Sequence, residues 1–125
     1  MKKTITGARQ SGRSTMLVMA IVDRMKMLDQ NNIFCTARTL MQREGLRRAI
    51  VKKVKDEGFD VCTDSNHATI PGRGTVTFGS VECQRGQVYD LIAVDDFDLF
   101  SKDDQASLIC FQIIHDRDLL LVETA

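Results

Sequence analysis

Apolar and polar residues alternate along the chain in segments that predict strands and helices in turn. Short apolar or β-prone runs predict strands at 3–6, 33–37, 59–63, 75–80, 89–94 and 119–124. Apolar positions at helical spacing predict helices at 15–28, 39–55 and 103–115, and Gly58 is expected to end the second. The expected apolar stripes are Leu40, Leu46, Ile50 and Val54 on the second helix, and Ala106, Leu108, Ile109, Cys110, Ile113 and Ile114 on the third. The segment 64–74 holds the only proline and is expected to be a loop or hairpin connection.

The order of these elements predicts the fold class. Strands alternate with helices, and several strands are apolar throughout, which is typical of a mostly parallel sheet covered on both faces. We therefore expect an α/β fold, a three-layer α/β/α sandwich. The chain has 125 residues and shows no repeat or linker, so we expect a single domain over residues 1–125.

Composition narrows the class of protein. Hydrophobic residues make up 43% and charged residues 27%, which is ordinary for a globular protein. The formal net charge is zero, so the chain lacks the overall positive charge that is typical of nucleic-acid-binding proteins. We see no membrane span and no signal peptide, and expect a cytoplasmic protein with no membrane partner. One local basic cluster keeps nucleic acid open as an alternative partner. Its members are Arg43, Arg47, Arg48, Lys52, Lys53 and Lys55.

The sulfur-containing residues predict packing and not chemistry. The four cysteines form no C-x-x-C pair, and their spacing fits no zinc pattern. We expect reduced thiols, at least three of them in apolar surroundings and buried. The six methionines are expected to fill core space.

A glycine-containing loop follows the first predicted strand and precedes the first predicted helix. Its spacing is that of the phosphate loop G-x-x-x-x-G-K-[ST], with an arginine in the lysine position. Glycines let such a loop turn its N–H groups toward a phosphate at a helix N-terminus. The candidate nucleotide-binding residues are Gly7, Ala8, Arg9, Gln10, Ser11, Gly12, Arg13, Ser14 and Thr15.

The chemistry of this loop depends on its hydroxyl and its cations. Ser14 would offer its oxygen to Mg²⁺. Arg13 stands where a lysine would reach the terminal phosphates, and a planar guanidinium does not replace a compact ammonium conservatively. Arg9 is a second cation that would serve instead. The alternative is a strand-to-helix turn that binds no ligand.

A pair of carboxylates ends the most apolar predicted strand, at 91–94. Asp95 at this tip would hold Mg²⁺, and Asp96 would be the base that polarises an attacking water. The alternative is that Asp95, Asp96 and Asp98 form a solvated turn or cap the next helix. The pair lies in the expected chain order after the loop, which strengthens the prediction of a nucleoside-triphosphate site.

The chain resembles the ATPase core of phage terminase large subunits and helicases, which are P-loop NTPases. The segments that carry this resemblance are 7–15, 33–38, 77–80, 85–86 and 89–96. It implies ATP and Mg²⁺ as cofactors, a viral source with a location in the host cytoplasm, and a coupling role for Thr124. A full motor of this family would continue into further strands, an arginine finger and a nuclease or second motor domain.

Two departures from the family pattern weaken the case for catalysis. Arg13 replaces the loop lysine, and Asp96 stands in place of a glutamate, one methylene short. We therefore expect a small ATP-binding protein with weak or lost hydrolysis, which acts as an accessory or regulatory factor on a protein partner or as a homo-oligomer. The alternatives are an active ATPase that uses Arg9 or Arg13, and a nucleotide-free interaction module that mimics the motor core.

Overall fold

The computed structural model describes residues 1–7, 13–84 and 87–124. The helices of this part are α1 (Arg13–Met27), α2 (Leu40–Asp56) and α3 (Lys102–Ile114), with 3-10 turns at Val81–Gln84 and Phe97–Leu99. The strands are β1 (Lys2–Gly7), β2 (Asn31–Thr36), β3 (Cys62–Thr63), β4 (His67–Ile70), β5 (Gly74–Phe78), β6 (Leu91–Val94) and β7 (Asp118–Thr124).

The strands form one sheet in the order β1-β7-β6-β2-β5-β4-β3. The pairs from β1 through β5 in that order are parallel, and β4 and β3 extend the sheet as antiparallel strands. Parallel strands place their carboxyl ends at one edge, so the loops that follow β1 and β6 lie at the same edge of the sheet. The predicted α/β class with a mostly parallel sheet is confirmed.

The core lies on both faces of the sheet, as the continuously apolar strands require. All four residues of β6 are buried. On one face, α1 and α2 pack against the sheet through residues that include Leu17, Ile21 and Ile50. On the other face, α3 and the two 3-10 turns pack around Phe34. These layers confirm the predicted three-layer sandwich.

The ends of α2 follow from local sequence chemistry. Thr39 caps the helix in a capping box: its hydroxyl accepts from the Gln42 N–H at 3.1 Å, and the Gln42 side chain accepts from the Thr39 N–H at 3.2 Å. Gly58, with φ +90°, supplies the left-handed conformation just after the helix, as predicted. Leu40, predicted on the apolar stripe, is 63% exposed at the first position of the helix.

The region before β5 differs from the prediction. The strand expected at 59–63 is reduced to Cys62–Thr63, and β4 lies inside the segment expected to be a connection. Its polar composition concealed β4, in which Ala68 and Ile70 alone are buried. Gly74 then starts β5 so close to β2 that a Cβ would collide with the Asn31 backbone.

Several expected core residues are exposed. On α3, Leu108 and Gln112 are buried, whereas Ile113 and Ile114 are 60% and 69% exposed, so the predicted apolar side was wrong for its last turn. Ala106 and Cys110, also placed on that side, are exposed as well. Residues 108–114 are apolar except for Gln112, so the sequence pattern did not define which side of this part of the helix faces the sheet.

The predicted burial of the sulfur-containing residues was also wrong. Cys35 is the one buried cysteine, and Cys62, Cys83 and Cys110 are exposed free thiols. Of the methionines, Met25 is buried and the other five are exposed. None of the described helices has the length and apolar character needed to cross a membrane. That residues 1–125 form one domain stays a prediction.

Candidate functional site

The predicted site lies where β1 and β6 end at the same edge of the sheet. Gly7 is the last residue of β1, and Arg13 is the first residue of α1. Five of the predicted loop residues, Ala8, Arg9, Gln10, Ser11 and Gly12, lie outside the described residues, as does the side chain of Arg13. The described loop residues are therefore Gly7, Ser14 and Thr15, with the backbone of Arg13.

Ser14 and Asp95 are brought together although 81 positions separate them in sequence. The Ser14 hydroxyl donates to Asp95 Oδ2 at 2.9 Å. Ser14 lies in the first turn of α1, and Asp95 directly follows β6. The two residues predicted to hold a metal ion are thus neighbours in space.

The Asp95 carboxylate is held in place from several sides. Asp95 is 5% exposed, and its Oδ1 accepts a hydrogen bond from the backbone N–H of Asp96 at 3.1 Å. The Asp95 N–H itself donates to the Thr36 carbonyl at the end of β2, at 3.0 Å. Because its backbone and both its oxygens are fixed, the carboxylate has a defined orientation.

Asp96 adopts a backbone conformation that is uncommon for a residue other than glycine. Its φ and ψ are 53° and 42°, in the left-handed region. Gln42 donates from Nε2 to Asp96 Oδ2 at 3.2 Å. At the 3-10 turn 97–99, which Asp96 precedes, the Asp96 side chain accepts no capping hydrogen bond.

Asp95 lies close enough to the Cys35 thiol to affect its pKa. Burial raises the pKa of Cys35 far above its usual range, and the negative charge of Asp95 adds to the increase. Cys35 lies in β2, next to β6 in the sheet. It is therefore a packing residue beside the site and not a nucleophile.

A cleft of about 660 Å³ opens beside these residues between α1 and α2. Ser14, Asp95, Asp96 and Gln42 line it together with apolar side chains of both helices, such as Val18 and Leu46. The size is sufficient for a small-molecule ligand.

The oxygen atoms of Ser14 and Asp95 fit a magnesium ion. Two neighbouring ligands of an octahedral Mg²⁺ with bonds of about 2.0–2.1 Å are themselves about 2.9 Å apart. The Ser14 and Asp95 oxygens are separated by 2.9 Å. In the described part of the chain, no three His, Cys, Asp or Glu residues gather as a metal cluster.

Gln42 is a site residue that the sequence interpretation missed. The signal was present in Thr39-x-x-Gln42, a capping-box pattern that fixes a glutamine side chain at a helix N-terminus. The pattern does not reveal that the other end of the amide contacts Asp96. That contact follows from the sheet order, in which β2 and β6 are neighbours.

Two further predicted features can be placed. Three cations of the basic cluster pair with carboxylates on α2 or at its end: Arg48 with Glu44, Lys52 with Asp56, and Lys53 with Glu57. These pairs reduce the net positive charge available to a nucleic acid. Thr124 ends β7, in register with Gly7. Arg85 and Gly86 lie outside the described residues.

The fold is that of the ATPase domain of phage large terminases. The large terminase of a thermophilic bacteriophage has a TM-score of 0.79 and 13% identity, over 98% of this chain and 33% of that chain. The HK97 bacteriophage large terminase has a TM-score of 0.78 and 14% identity, over 98% and 29%. The Thermus phage P74-26 large terminase ATPase domain has a TM-score of 0.76 and 16% identity, over 98% and 58%.

These comparisons establish the fold and no more. The identities are low, and the chain spans less than two thirds of the length of each of these neighbours. The sequence matches no protein-family model and no curated protein. The resemblance to a terminase ATPase core, predicted from a loop and an acidic strand tip, is confirmed in the fold.

Proposed function

We propose that the chain binds ATP with Mg²⁺ where β1 and β6 end. The observation that carries this proposal is the contact of Ser14 with Asp95 at 2.9 Å. This contact joins the serine hydroxyl of the phosphate-loop pattern to the aspartate that directly follows the buried strand β6. These are the two protein groups that hold Mg²⁺ in phosphate-loop enzymes.

Each proposed residue has a physical role in that site. Residues 7–13 would surround the phosphates with backbone N–H groups, and the N-terminus of α1 would add its dipole. Ser14 and Asp95 would hold Mg²⁺, which neutralises phosphate charge when bound. Arg13, or Arg9, would supply a side-chain cation to the phosphates. Thr15 lines the cleft next to Ser14.

The fold neighbours support a nucleotide as the ligand. Structures of the large terminase from the thermophilic bacteriophage are described as complexes with ADP and with ATP-γ-S. Their TM-scores to this chain are 0.73 and 0.74.

We further propose that hydrolysis is weak or lost, and that the chain acts as an accessory or regulatory factor. Arg13 does not place charge on the terminal phosphates as a lysine does, and such placement supplies much of the catalysis in phosphoryl transfer. Asp96, the proposed base, is shorter than a glutamate. The partner, a second protein or a second copy of the chain, stays a prediction.

Calorimetric titration with Mg²⁺ and ATP tests this function. We expect micromolar binding by the native chain and tighter binding by Arg13→Lys. Arg48→Lys is the matched control, because it makes the same change on an exposed part of α2 and should bind as the native chain does. Binding by neither the native chain nor Arg13→Lys would overturn the proposal and favour the nucleotide-free interaction module.

Phosphate release under the same conditions separates the remaining alternatives. Slow or undetectable release by a chain that binds Mg·ATP supports the accessory role. Rapid release, lost on replacement of Arg9 or Arg13 by alanine, would establish the active ATPase instead.

A further inference from the structure

We propose that Gln42 is a positioning residue for Asp96, and that it connects the first turn of α2 to the triphosphate site. This inference rests on the proposed nucleotide function. Its basis is the hydrogen bond from Gln42 Nε2 to Asp96 Oδ2 at 3.2 Å. The two residues are 54 positions apart, so tertiary structure alone brings them together.

The Gln42 amide is held at both of its ends. Its Oε1 accepts from the Thr39 N–H at 3.2 Å and from the Thr39 hydroxyl at 3.3 Å. Because Oε1 is held by Thr39, the amide has one orientation, in which the Nε2 donor is directed at Asp96. A side chain fixed in this way restrains its partner, because neither end is free to rotate.

Asp96 needs such a restraint if it acts on a water molecule. It is 8% exposed and has left-handed backbone angles, which an aspartate adopts at some cost. Gln42 lines the same cleft as Ser14, Asp95 and Asp96. Misplacement of a reacting group by about 1 Å costs on the order of 100-fold in rate.

The hydrogen bond from Gln42 also links the position of α2 to the position of the Asp96 carboxylate. A shift of the first turn of α2 moves Thr39 and Gln42 together, because they form one capping box. The Asp96 carboxylate would follow through Nε2. A partner that contacts α2 could therefore alter hydrolysis without contacting the nucleotide.

Two substitutions at position 42 isolate the donor. Gln42→Glu keeps the oxygen that completes the capping box, removes the Nε2 donor and adds a charge. Gln42→Met keeps the size of the side chain, removes the donor and adds no charge. We expect both variants to lower kcat by about 10- to 100-fold while KM for Mg·ATP changes by less than about 3-fold.

Ser101→Ala is the matched control for loss of helix stability. Ser101 caps α3 by accepting a hydrogen bond from the Asp104 N–H and does not line the cleft, so its replacement should leave kcat and KM unchanged. Native values in both Gln42 variants would overturn the positioning role. A rise in KM with constant kcat would also overturn it, because that pattern indicates a binding role.

A spectroscopic measurement covers a chain whose turnover is too slow to follow. The side-chain amide resonance of Gln42, assigned by its loss in Gln42→Glu, should shift in Asp96→Ala and on addition of Mg·ATP to the native chain. No shift in either experiment would overturn the proposal. If the native chain binds no nucleotide but the resonance shifts in Asp96→Ala, the proposed function fails while the contact itself stands.

Discussion

Carboxylates lie at both ends of the parallel sheet, and the two groups have different partners. At the amino end, Asp118 pairs with the N-terminal ammonium at 2.8 Å and with Arg24 at 2.7 Å. At the carboxyl end, the described contacts of Asp95 and Asp96 include the Ser14 hydroxyl and the Gln42 amide. Asp95 and Asp96 also line the cleft between α1 and α2, whereas Asp118 does not.

The difference separates a stabilising role from a binding role. Hydrogen bonds from the N-terminus and from Arg24 hold the pKa of Asp118 below its usual range, so its contacts favour the folded, charged form. Asp95 and Asp96 instead line the cleft of the proposed nucleotide site. We therefore expect changes at the amino end to alter stability and changes at the carboxyl end to alter binding.

The largest expected effect is at the carboxyl end. Asp95→Asn should weaken Mg·ATP binding by at least about 10-fold, because an amide oxygen is a poorer Mg²⁺ ligand than a carboxylate. An asparagine has nearly the same size; its oxygen keeps the Asp96 N–H and its NH2 group donates to the Ser14 hydroxyl oxygen, so thermal stability should change little. Titration with ATP, with and without Mg²⁺, measures the effect.

Asp60→Asn is the control for this variant, since it makes the same chemical change at an exposed position after α2. Its affinity should equal that of the native chain. Equal affinities for all three proteins would show that Asp95 does not hold the metal ion.

The next effect is at the amino end of the sheet. Asp118→Asn removes two ion pairs and should lower the free energy of unfolding by about 0.5–1 kcal/mol, a value limited by solvent screening of a side chain that is 38% exposed. The midpoint of thermal unfolding should fall by about 2–5 °C. Affinity for Mg·ATP should not change. A loss of affinity would contradict the expectation that changes at the amino end of the sheet alter stability and not binding.

The sequence predicted the parts of this structure that depend on local pattern. The apolar run at 91–94 became a fully buried strand, and the segment 39–55 became α2 with the predicted end at Gly58. Ser14 and Asp95 were each predicted to hold Mg²⁺, and their side-chain oxygens lie 2.9 Å apart. Each of these features follows from periodicity, from a glycine or from the order of motifs along the chain.

The features that the sequence did not predict depend on packing between distant segments. The exposed Ile113 and Ile114 are as apolar as buried residues, and only the orientation of α3 on the sheet exposes them. The strand β4 is stabilised by its partners β3 and β5 and not by its own composition. Gln42 acquires its partner only because β2 lies beside β6.

The pH dependence of stability gives the smallest expected effect and tests the same division. Because the pKa of Asp118 is lowered in the folded chain, its contribution is present above the unfolded value of about 3.9 and is lost as the pH falls through the folded value. The difference in unfolding free energy between the native chain and Asp118→Asn should therefore be constant from neutral pH to about pH 5 and should shrink toward zero in more acidic solution. Chemical denaturation of both proteins across this range measures it. A difference that persists unchanged well below pH 3 would mean that Asp118 acts by packing and not by its charge, and that the two ends of the sheet do not differ in the way proposed.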